Sequence, residues 1–240
     1  MAAAPEDRLS ARAVLPADGE TNALHAGDFV VWQLIDSAFP TGGFAHSNGL
    51  EAAWQHGEVR GRTELISFLE AGLNQIGRAA LPLATAAFSA PGKLGDFDAL
   101  CDAFTTNHVA NRASRAQGRA LLMAVERIFK PEGQPTETTV VFGHLAPVFG
   151  ACLGRLKVSR DTMTRMFLFN HLRGLLAAAV RLNIVGPMEA QMLQHRLRPQ
   201  IEEVLRRCGD LGLEDLAQTA PLMEIWQGAQ DRLYSRLFQS

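Results

Sequence analysis

Histidine and cysteine are the residues in this sequence that could hold a metal ion. The seven histidines are spread along the chain, and no two of them stand four residues apart. The three cysteines, Cys101, Cys152 and Cys208, are also widely and irregularly spaced. A zinc or nickel site needs ligands that converge, often as an i, i+4 histidine pair or as closely spaced cysteines. We therefore predict no metal site and no tightly bound cofactor.

Nucleophilic catalysis would require a serine or cysteine held on a sharp turn beside a base. The Gly-x-Ser-x-Gly pattern is missing, and Cys152 and Cys208 lie among alanine and leucine positions typical of a core. Carboxylates are plentiful, but nothing in their spacing distinguishes a working acid–base pair from solvated surface. The sequence predicts no catalytic residues and a protein that is not an enzyme.

The segment around Gly42 and Gly43 resembles a phosphate-binding loop only superficially. Such a loop continues with Gly-Lys-Ser or Gly-Lys-Thr, whereas Phe44, Ala45 and His46 follow here. Glycine allows positive φ angles, so the pair predicts a turn between two helices. We expect this turn to expose Phe44 and to place Ser47 as the cap of the next helix.

Composition restricts the classes of partner. The chain has 240 residues, 47% of them hydrophobic, with a formal net charge of -2 and a pI of about 6.4. These values predict a sizeable core and give no reason to expect nucleic acid or a membrane surface as a partner. An odd number of scattered cysteines predicts reduced thiols and a cytoplasmic location. No apolar run is long enough to cross a bilayer, and residues 1–27 are expected to form a flexible arm.

Helical periodicity dominates the rest of the sequence, and strand patterns are nearly absent. Pro82 is expected to kink or restart a long helix, and Pro187 and Pro221 are expected to begin later ones. We predict an all-α fold, a single domain over residues 28–240 of about ten helices without significant sheet, ending in a docking tail. The predicted helices cover 28–38, 46–56, a stretch from 63 that restarts at 82, 96–109, 110–129, 143–157, 160–183, 187–208, and a last one from 221 into the tail.

Two helical faces leave alternatives open. Arg112, Arg115 and Arg119 form a basic stripe, which is either solvated surface or a docking site for an acidic partner. On the helix over 160–183, Asn170, Gly174, Ala177, Ala178 and Arg181 share one face. Small residues allow a second helix to approach closely, so dimer contact and internal packing fit this face equally well.

An apolar stripe runs through the last twenty residues. Its members are Leu222, Ile225, Trp226, Ala229, Leu233 and Leu237. Such a stripe either docks on its own domain or becomes ordered only when a partner covers it. Both interpretations stay open on the sequence alone.

Four segments, in order along the chain, resemble the UreF family of urease accessory proteins. The first runs from Ser37 through Pro40-Thr41-Gly42-Gly43-Phe44-Ala45-His46-Ser47 to Asn48-Gly49-Leu50-Glu51. The others are His144–Gly150, the long helix from Phe169 to Leu182, and Leu233–Phe238. The resemblance extends over about residues 29–240.

This resemblance implies an all-α homodimer in the cytoplasm that has no catalytic centre. It implies a complex with a UreD-type scaffold protein (UreH in some systems), with a UreG-type GTPase and with apo-urease. Nickel would be handled indirectly, through a passage in that complex. The alternatives are a helical adaptor or a nickel-binding metallochaperone that acts outside urease maturation.

The resemblance also implies roles for particular residues. Partner-binding residues would be Pro40, Gly42, Gly43, Phe44, His46, Ser47 and Glu51 in the front turn, and Tyr234, Ser235, Arg236, Leu237 and Phe238 in the tail. The dimer interface would include Asn170, Gly174, Ala178 and Arg181.

Overall fold

Helices form all the regular structure in residues 26–129 and 140–240, which are the residues that the computed structural model describes. There are eleven α-helices and four short 3-10 helices in this part, and no strand. The prediction of an all-α fold with about ten helices is confirmed. The α-helices are α1 Ala26–Ile35, α2 Leu50–Gln55, α3 Arg62–Ala79, α4 Leu81–Ser89, α5 Leu94–Phe104, α6 His108–Phe129, α7 Leu145–Arg155, α8 Arg160–Arg181, α9 Pro187–Arg196, α10 Arg198–Cys208 and α11 Pro221–Ala229.

The core lies around α3, α4, α7 and α8. The largest helix–helix contact is between α4 and α7, and α8 packs against α3, α4 and α9. Leu69 and Leu73 of α3 are fully buried, as are Leu168 and Leu172 of α8. Burying an aliphatic side chain contributes about 1.5–3 kcal/mol. These helices therefore form a rigid base for the segments near the chain ends.

Close packing of α7 depends on glycine. A Cβ atom at Gly150 of α7 would stand 1.9 Å from the Ala84 carbonyl oxygen of α4. At Gly118 of α6, it would stand 2.2 Å from the Gly143 carbonyl oxygen. Only glycine permits these approaches, which is why three helices meet at α7 with little space between their backbones.

Several helix boundaries differ from the prediction because of local backbone features. The helix predicted from residue 46 begins only at Leu50, since Asn48 and Gly49 have φ angles of 51° and 86°. The predicted single helix over 187–208 is two helices that meet at Leu197. Pro199, near the start of the second, has no N–H to continue the hydrogen-bond ladder.

Another predicted boundary is wrong because an asparagine caps the helix at an earlier position. The helix predicted over 110–129 begins at His108. The Asn107 side chain accepts hydrogen bonds from the backbone N–H groups of Val109 at 3.0 Å and Ala110 at 3.2 Å. This is the geometry of an N-cap asparagine, which ends the preceding loop and starts α6.

The last helix does not continue into the tail, contrary to the prediction. The α11 helix ends at Ala229, a 3-10 turn covers Gln230–Arg232, and the chain then runs without helix to Ser240. A helix uses most of its N–H groups internally, whereas an irregular segment does not. The tail therefore has free N–H groups to bond with the rest of the molecule.

One sequence-based prediction, the flexible arm over residues 1–27, lies almost entirely outside the described residues. Within residues 26–129 and 140–240, no helix combines the length and apolar character needed to cross a membrane.

Candidate docking site

The front turn contains residues with left-handed backbone angles, namely Gly42, Asn48 and Gly49. Gly42 has a φ angle of 70° and precedes a single 3-10 turn over Gly43–Ala45. This geometry leaves the Phe44 ring 73% exposed. Exposure of Phe44 was predicted, and the structure confirms it.

The tail binds along this turn through backbone hydrogen bonds. The Ser47 N–H donates to the Ser240 carbonyl at 2.5 Å, and the Gln239 N–H donates to the Ala45 carbonyl at 2.8 Å. The Ser47 hydroxyl also donates to the Ser240 carbonyl, at 3.1 Å. Two segments almost 200 residues apart in sequence thus form one structural unit, and the tail docks on its own domain.

His46 and the Ser240 side chain add a further contact. His46 Nδ1 lies 2.6 Å from the Ser240 hydroxyl, and both residues are buried. Burial lowers the pKa of His46, and the charge of Arg112 lowers it further. The imidazole is therefore held neutral, which suits a ring that faces a hydroxyl group in a buried contact.

The buried carboxylate of Glu51 holds the tail from the other side. It is 1% exposed and accepts hydrogen bonds from the backbone N–H groups of Leu237 at 2.6 Å and Phe238 at 3.1 Å. The Gln230 side-chain amide donates to it at 2.6 Å. Buried carboxylates require such partners, because an unsatisfied buried charge is strongly destabilising. Glu51 and the tail therefore depend on each other.

Ser47 was expected to cap the helix that contains Glu51, and the structure shows a different arrangement. Gly49 occupies the cap position of α2 and offers no side chain. The Ser47 hydroxyl accepts only a long hydrogen bond, 3.4 Å, from the Glu51 N–H. Its main bonds go to the tail instead.

Arg181 connects α8 to both segments. Its guanidinium donates to the Phe44 carbonyl, and its central carbon lies 4.3 Å from the centroid of the buried Phe238 ring. A cation over an aromatic face contributes about 0.5–2 kcal/mol. Arg181 thus stabilises the contact between turn and tail inside one chain.

A second contact to the tail comes from α6. The Asp231 carboxylate accepts hydrogen bonds from Arg112 at 2.8 and 3.1 Å and from Arg236 at 3.1 Å. His108 Nε2 lies 3.3 Å from it. These groups are partly exposed, so we expect each pair to contribute little alone, about 1 kcal/mol or less.

The basic stripe on α6 is divided among contacts within the chain. Arg112 pairs with Asp231, and the Arg115 guanidinium stands 5.3 Å from the centroid of the Phe142 ring. Arg119 donates to the carbonyls of Phe142 at 2.7 Å and Val141 at 3.1 Å. All three arginines therefore have internal roles, which the sequence did not reveal.

The predicted partner-binding residues separate into two groups. Pro40, Phe44, Tyr234, Ser235, Arg236 and Leu237 are exposed, and Gly42 and Gly43 are partly exposed. His46, Ser47, Glu51 and Phe238 are buried. The buried side chains make their contacts within the chain, and partner binding through the predicted residues stays a prediction. We call the exposed side chains of Phe44, Tyr234, Arg236 and Leu237 the front–tail surface.

The predicted dimer residues also have different environments. Ala178 is 1% exposed, so its side chain packs inside the chain, and its place in a dimer interface stays a prediction. Asn170 and Gly174 are partly exposed, and a Cβ atom at Gly174 would meet nothing within 4 Å. Dimer contact through Asn170, Gly174 and Arg181 stays a prediction.

Ser114, His144 and Asp102 form a serine–histidine–aspartate arrangement that the sequence did not predict. His144 Nδ1 lies 3.1 Å from the Ser114 hydroxyl, and Nε2 lies 3.0 Å from Asp102. The Ser114 oxygen also accepts the Leu145 N–H at 3.1 Å, and His144 is fully buried. The hydroxyl is thus bonded to the start of α7, and the imidazole has no exposed edge. This geometry connects helices instead of offering a nucleophile to a substrate.

Asp98 also stabilises the segment that leads into α7. Its buried carboxylate accepts N–H groups from Phe142 at 2.8 Å, from Gly143 at 2.9 and 3.0 Å, and from His144 at 2.8 Å. A carboxylate at the amino end of a helix satisfies free N–H groups and interacts well with the helix dipole. An aspartate within a helix, 44 to 46 residues before its partners, gives no sequence signal for this role.

Burial keeps two of the three cysteines in the thiol form. All three are buried, and burial raises the pKa of Cys101 and of Cys152 to about 12. Thiolates are the reactive and metal-binding form. Within residues 26–129 and 140–240, no group of three or more His, Cys, Asp or Glu side chains is placed to hold a metal ion.

Comparison with known proteins agrees with the sequence resemblance. A family model described as UreF matches residues 59–198. Urease accessory protein F of Oryza sativa subsp. indica is 38% identical over 217 residues, covering 86% of this chain and 83% of the relative. Urease accessory protein F of Arabidopsis thaliana is 38% identical over 219 residues, covering 87% and 91%. Urease accessory protein UreF of Trichodesmium erythraeum is 33% identical over 218 residues, covering 86% and 94%. These relatives are named as accessory proteins and not as enzymes.

Proposed function

Because the chain belongs to the UreF family of urease accessory proteins, we propose that it acts in urease maturation by bridging two other proteins. One is a UreD/UreH-type scaffold, and the other is a UreG-type GTPase that delivers nickel to apo-urease. The chain contributes binding surfaces to this complex and performs no catalysis. Nickel passes through the assembled complex and is not held tightly by this chain.

The front–tail surface supports this proposal. Tyr234 is fully exposed and Leu237 is 51% exposed. The tail that carries them is nevertheless ordered, because the N–H groups of Leu237 and Phe238 donate to the buried Glu51 carboxylate. Aromatic and apolar side chains on an ordered backbone bind partners at low entropic cost, since the backbone is fixed before binding. Arg236 adds a cationic group beside them. We therefore propose this surface as the docking site for the scaffold protein.

The experiment is co-purification with the UreD/UreH-type scaffold after Tyr234→Ala and Leu237→Ala are combined. Neither side chain is buried, so we expect an unchanged unfolding midpoint and loss of most scaffold binding. Deleting residues 234–240 would be a poorer test, since it leaves the buried Glu51 carboxylate without its two backbone donors. Full retention of the scaffold by the double variant would disprove the assignment of this surface.

A matched control uses two exposed methionines on α9. Met188 is 76% exposed and Met192 is 58% exposed, four residues apart on one helix. Replacing both with alanine removes a similar amount of exposed apolar surface at a position away from the tail. We expect this control to bind the scaffold at the level of the unaltered chain.

The metallochaperone alternative has a direct test. Titration of the purified chain with nickel by calorimetry is expected to reveal no stoichiometric site of sub-micromolar affinity. A tight, saturable heat signal would favour that alternative over the bridging role.

A further inference from the structure

A partly open cavity of about 270 Å³ lies beside the front turn and is lined by residues of α3, α5, α6, α7, α8 and α11. Its lining combines apolar side chains, including Ile76, Leu121, Phe149, Phe167 and Met223, with polar ones such as Gln75, Gln117 and Glu224. An apolar cavity of about 150 Å³ already accepts benzene. The available space is therefore sufficient for a small aromatic molecule.

Two buried polar atoms at this wall lack partners. Among the described residues, neither Asn170 Oδ1 nor His171 Nε2 has a hydrogen-bond partner, and both residues line the cavity. More than nine in ten buried polar groups in proteins are hydrogen-bonded, and leaving one unpaired is destabilising. These two atoms, adjacent in sequence, are therefore candidates for binding a guest molecule.

Gly72 of α3 leaves space beside the imidazole. A Cβ atom at this position would stand 3.2 Å from His171 Nε2 and 3.3 Å from the Met223 methyl carbon. Any side chain here would occupy the space next to the unpaired nitrogen. Glycine at position 72 thus keeps that nitrogen open to the cavity.

The chemistry of the wall restricts the class of guest. Asn170 Oδ1 is an acceptor, and a neutral imidazole accepts through Nε2 when its proton is on Nδ1. Burial lowers the pKa of His171 to about 4, so the ring is neutral at physiological pH. Arg173 at the wall is already bonded to the Ile35 carbonyl. A guest that bonds these two atoms must therefore donate a hydrogen bond, and the apolar side chains of the lining favour an uncharged ring beside that donor.

We propose that this cavity binds a small, uncharged aromatic or heteroaromatic molecule that carries an N–H or O–H group. The guest places its ring among the apolar side chains and donates to Asn170 Oδ1 or His171 Nε2. This site is separate from the front–tail surface, and its existence does not depend on a role in urease maturation.

The test uses the full purified chain with indole and 1-methylindole as probes. The two molecules have nearly the same shape, but the second has no N–H donor. Calorimetry and saturation-transfer NMR are expected to show indole binding, and 1-methylindole binding at least about tenfold more weakly, as for the loss of one buried hydrogen bond. Equal binding of the two probes, or no binding of indole at millimolar concentration, overturns the proposal. Absence of indole binding would indicate that the cavity holds only water.

Variants at the two acceptor residues test where the probe binds. Asn170→Leu and His171→Phe remove one acceptor each while keeping similar volume, and the two together are expected to abolish indole binding. His195→Phe is the matched control, because His195 is exposed on α9 and does not line the cavity. Unchanged indole binding in the double variant contradicts the proposal. If a variant fails to fold, the comparison of indole with 1-methylindole on the unaltered chain still tests the proposal.

Discussion

At the scale of single residues, two buried carboxylates organise this molecule through backbone N–H groups. Glu51 accepts N–H groups from the tail, and Asp98 accepts those at the start of α7. Among the described residues, neither carboxylate forms a salt bridge with a basic side chain. Charge-assisted hydrogen bonds to backbone are directional, so each carboxylate fixes the path of a segment as well as stabilising it.

Glu51→Gln is expected to loosen the tail. The amide has only one acceptor oxygen, and its NH₂ group would face the N–H donors of Leu237 or Phe238. We expect a loss of about 2–4 kcal/mol in the free energy of unfolding, measured with urea. Trypsin should also cleave faster after Arg236. Glu58→Gln, at an exposed position, is the control and should change neither quantity; equal tryptic protection of the tail in both variants would refute the role of Glu51.

The stability of the protein should vary with pH through His171, a partly buried histidine of α8. The folded-state pKa of His171 is lowered to about 4 from 6.5, because burial disfavours the charged ring. As the pH falls from about 6.5 to 4, the unfolded chain therefore binds a proton at His171, whereas the folded chain does not. Stability contributed by the neutral ring is present above pH 6.5 and decreases through that window, by at most on the order of 3 kcal/mol.

His171→Phe should make the free energy of unfolding less dependent on pH between 6.5 and 4, measured by urea titration at several pH values. His195→Phe, at the exposed position on α9, should leave the slope unchanged. A slope that is the same in all three proteins would show that His171 is not the group responsible. His46, whose pKa is also lowered by burial, should account for part of the slope that remains.

At the scale of elements, backbone contact between helices depends on a few glycines. The α4 and α7 helices approach so closely that Gly150 would place a Cβ atom 1.9 Å from the Ala84 oxygen. This contact places α7 beside α4, while Gly118 of α6 lies against the turn that precedes α7. Side chains cannot be accommodated there without separating the helices.

Gly150→Ala should therefore destabilise the protein. Overpacking of this kind costs about 1–3 kcal/mol or more, and the obstacle here is backbone, which cannot rotate away. The control is Gly95→Ala on α5, where a Cβ atom would meet nothing within 4 Å. Alanine is the better helix former by up to about 1 kcal/mol, so we expect the control to be neutral or stabilising. Thermal unfolding followed by circular dichroism measures both, and equal midpoints would contradict the packing argument.

At the scale of the whole molecule, the front turn and the tail form one surface. The turn after α1 and the tail after α11 are joined by backbone bonds, by Glu51 and by Arg181. A partner that binds the front–tail surface would therefore contact both segments at once. The opposite possibility, a tail that becomes ordered only on a partner, would require breaking these internal bonds first.

The predicted homodimer can be tested at Gly174. Arg181→Asp would be ambiguous, since Arg181 also holds Phe44 and Phe238 within the chain. Gly174→Glu introduces a charge where a Cβ atom meets nothing within 4 Å. We expect light scattering to show a dimer for the unaltered chain and a monomer for this variant, with no loss of helicity. Gln191→Glu, exposed on α9, should remain dimeric; a dimer in both variants would remove Gly174 from the interface.

The sequence by itself determined the all-α fold and the approximate position of most helices. Helical periodicity is a local property that repeats every 3.6 residues, and proline and glycine interrupt it in known ways. The break at Pro82 between α3 and α4 was predicted correctly for this reason, and so was the exposure of Phe44. The ordered motifs from Ser37 to Phe238 likewise sufficed to indicate the family.

Only the tertiary structure decided which residues are surface and which are internal. Glu51 and Phe238 are 187 positions apart, and nothing in the spacing of either predicts their hydrogen bond. The arginines of α6, the Asp98 cap and the cavity behind Asn170 likewise depend on helices that meet in space. Long-range contacts result from the packing of all helices together, whereas sequence patterns report only the conformation of neighbouring residues.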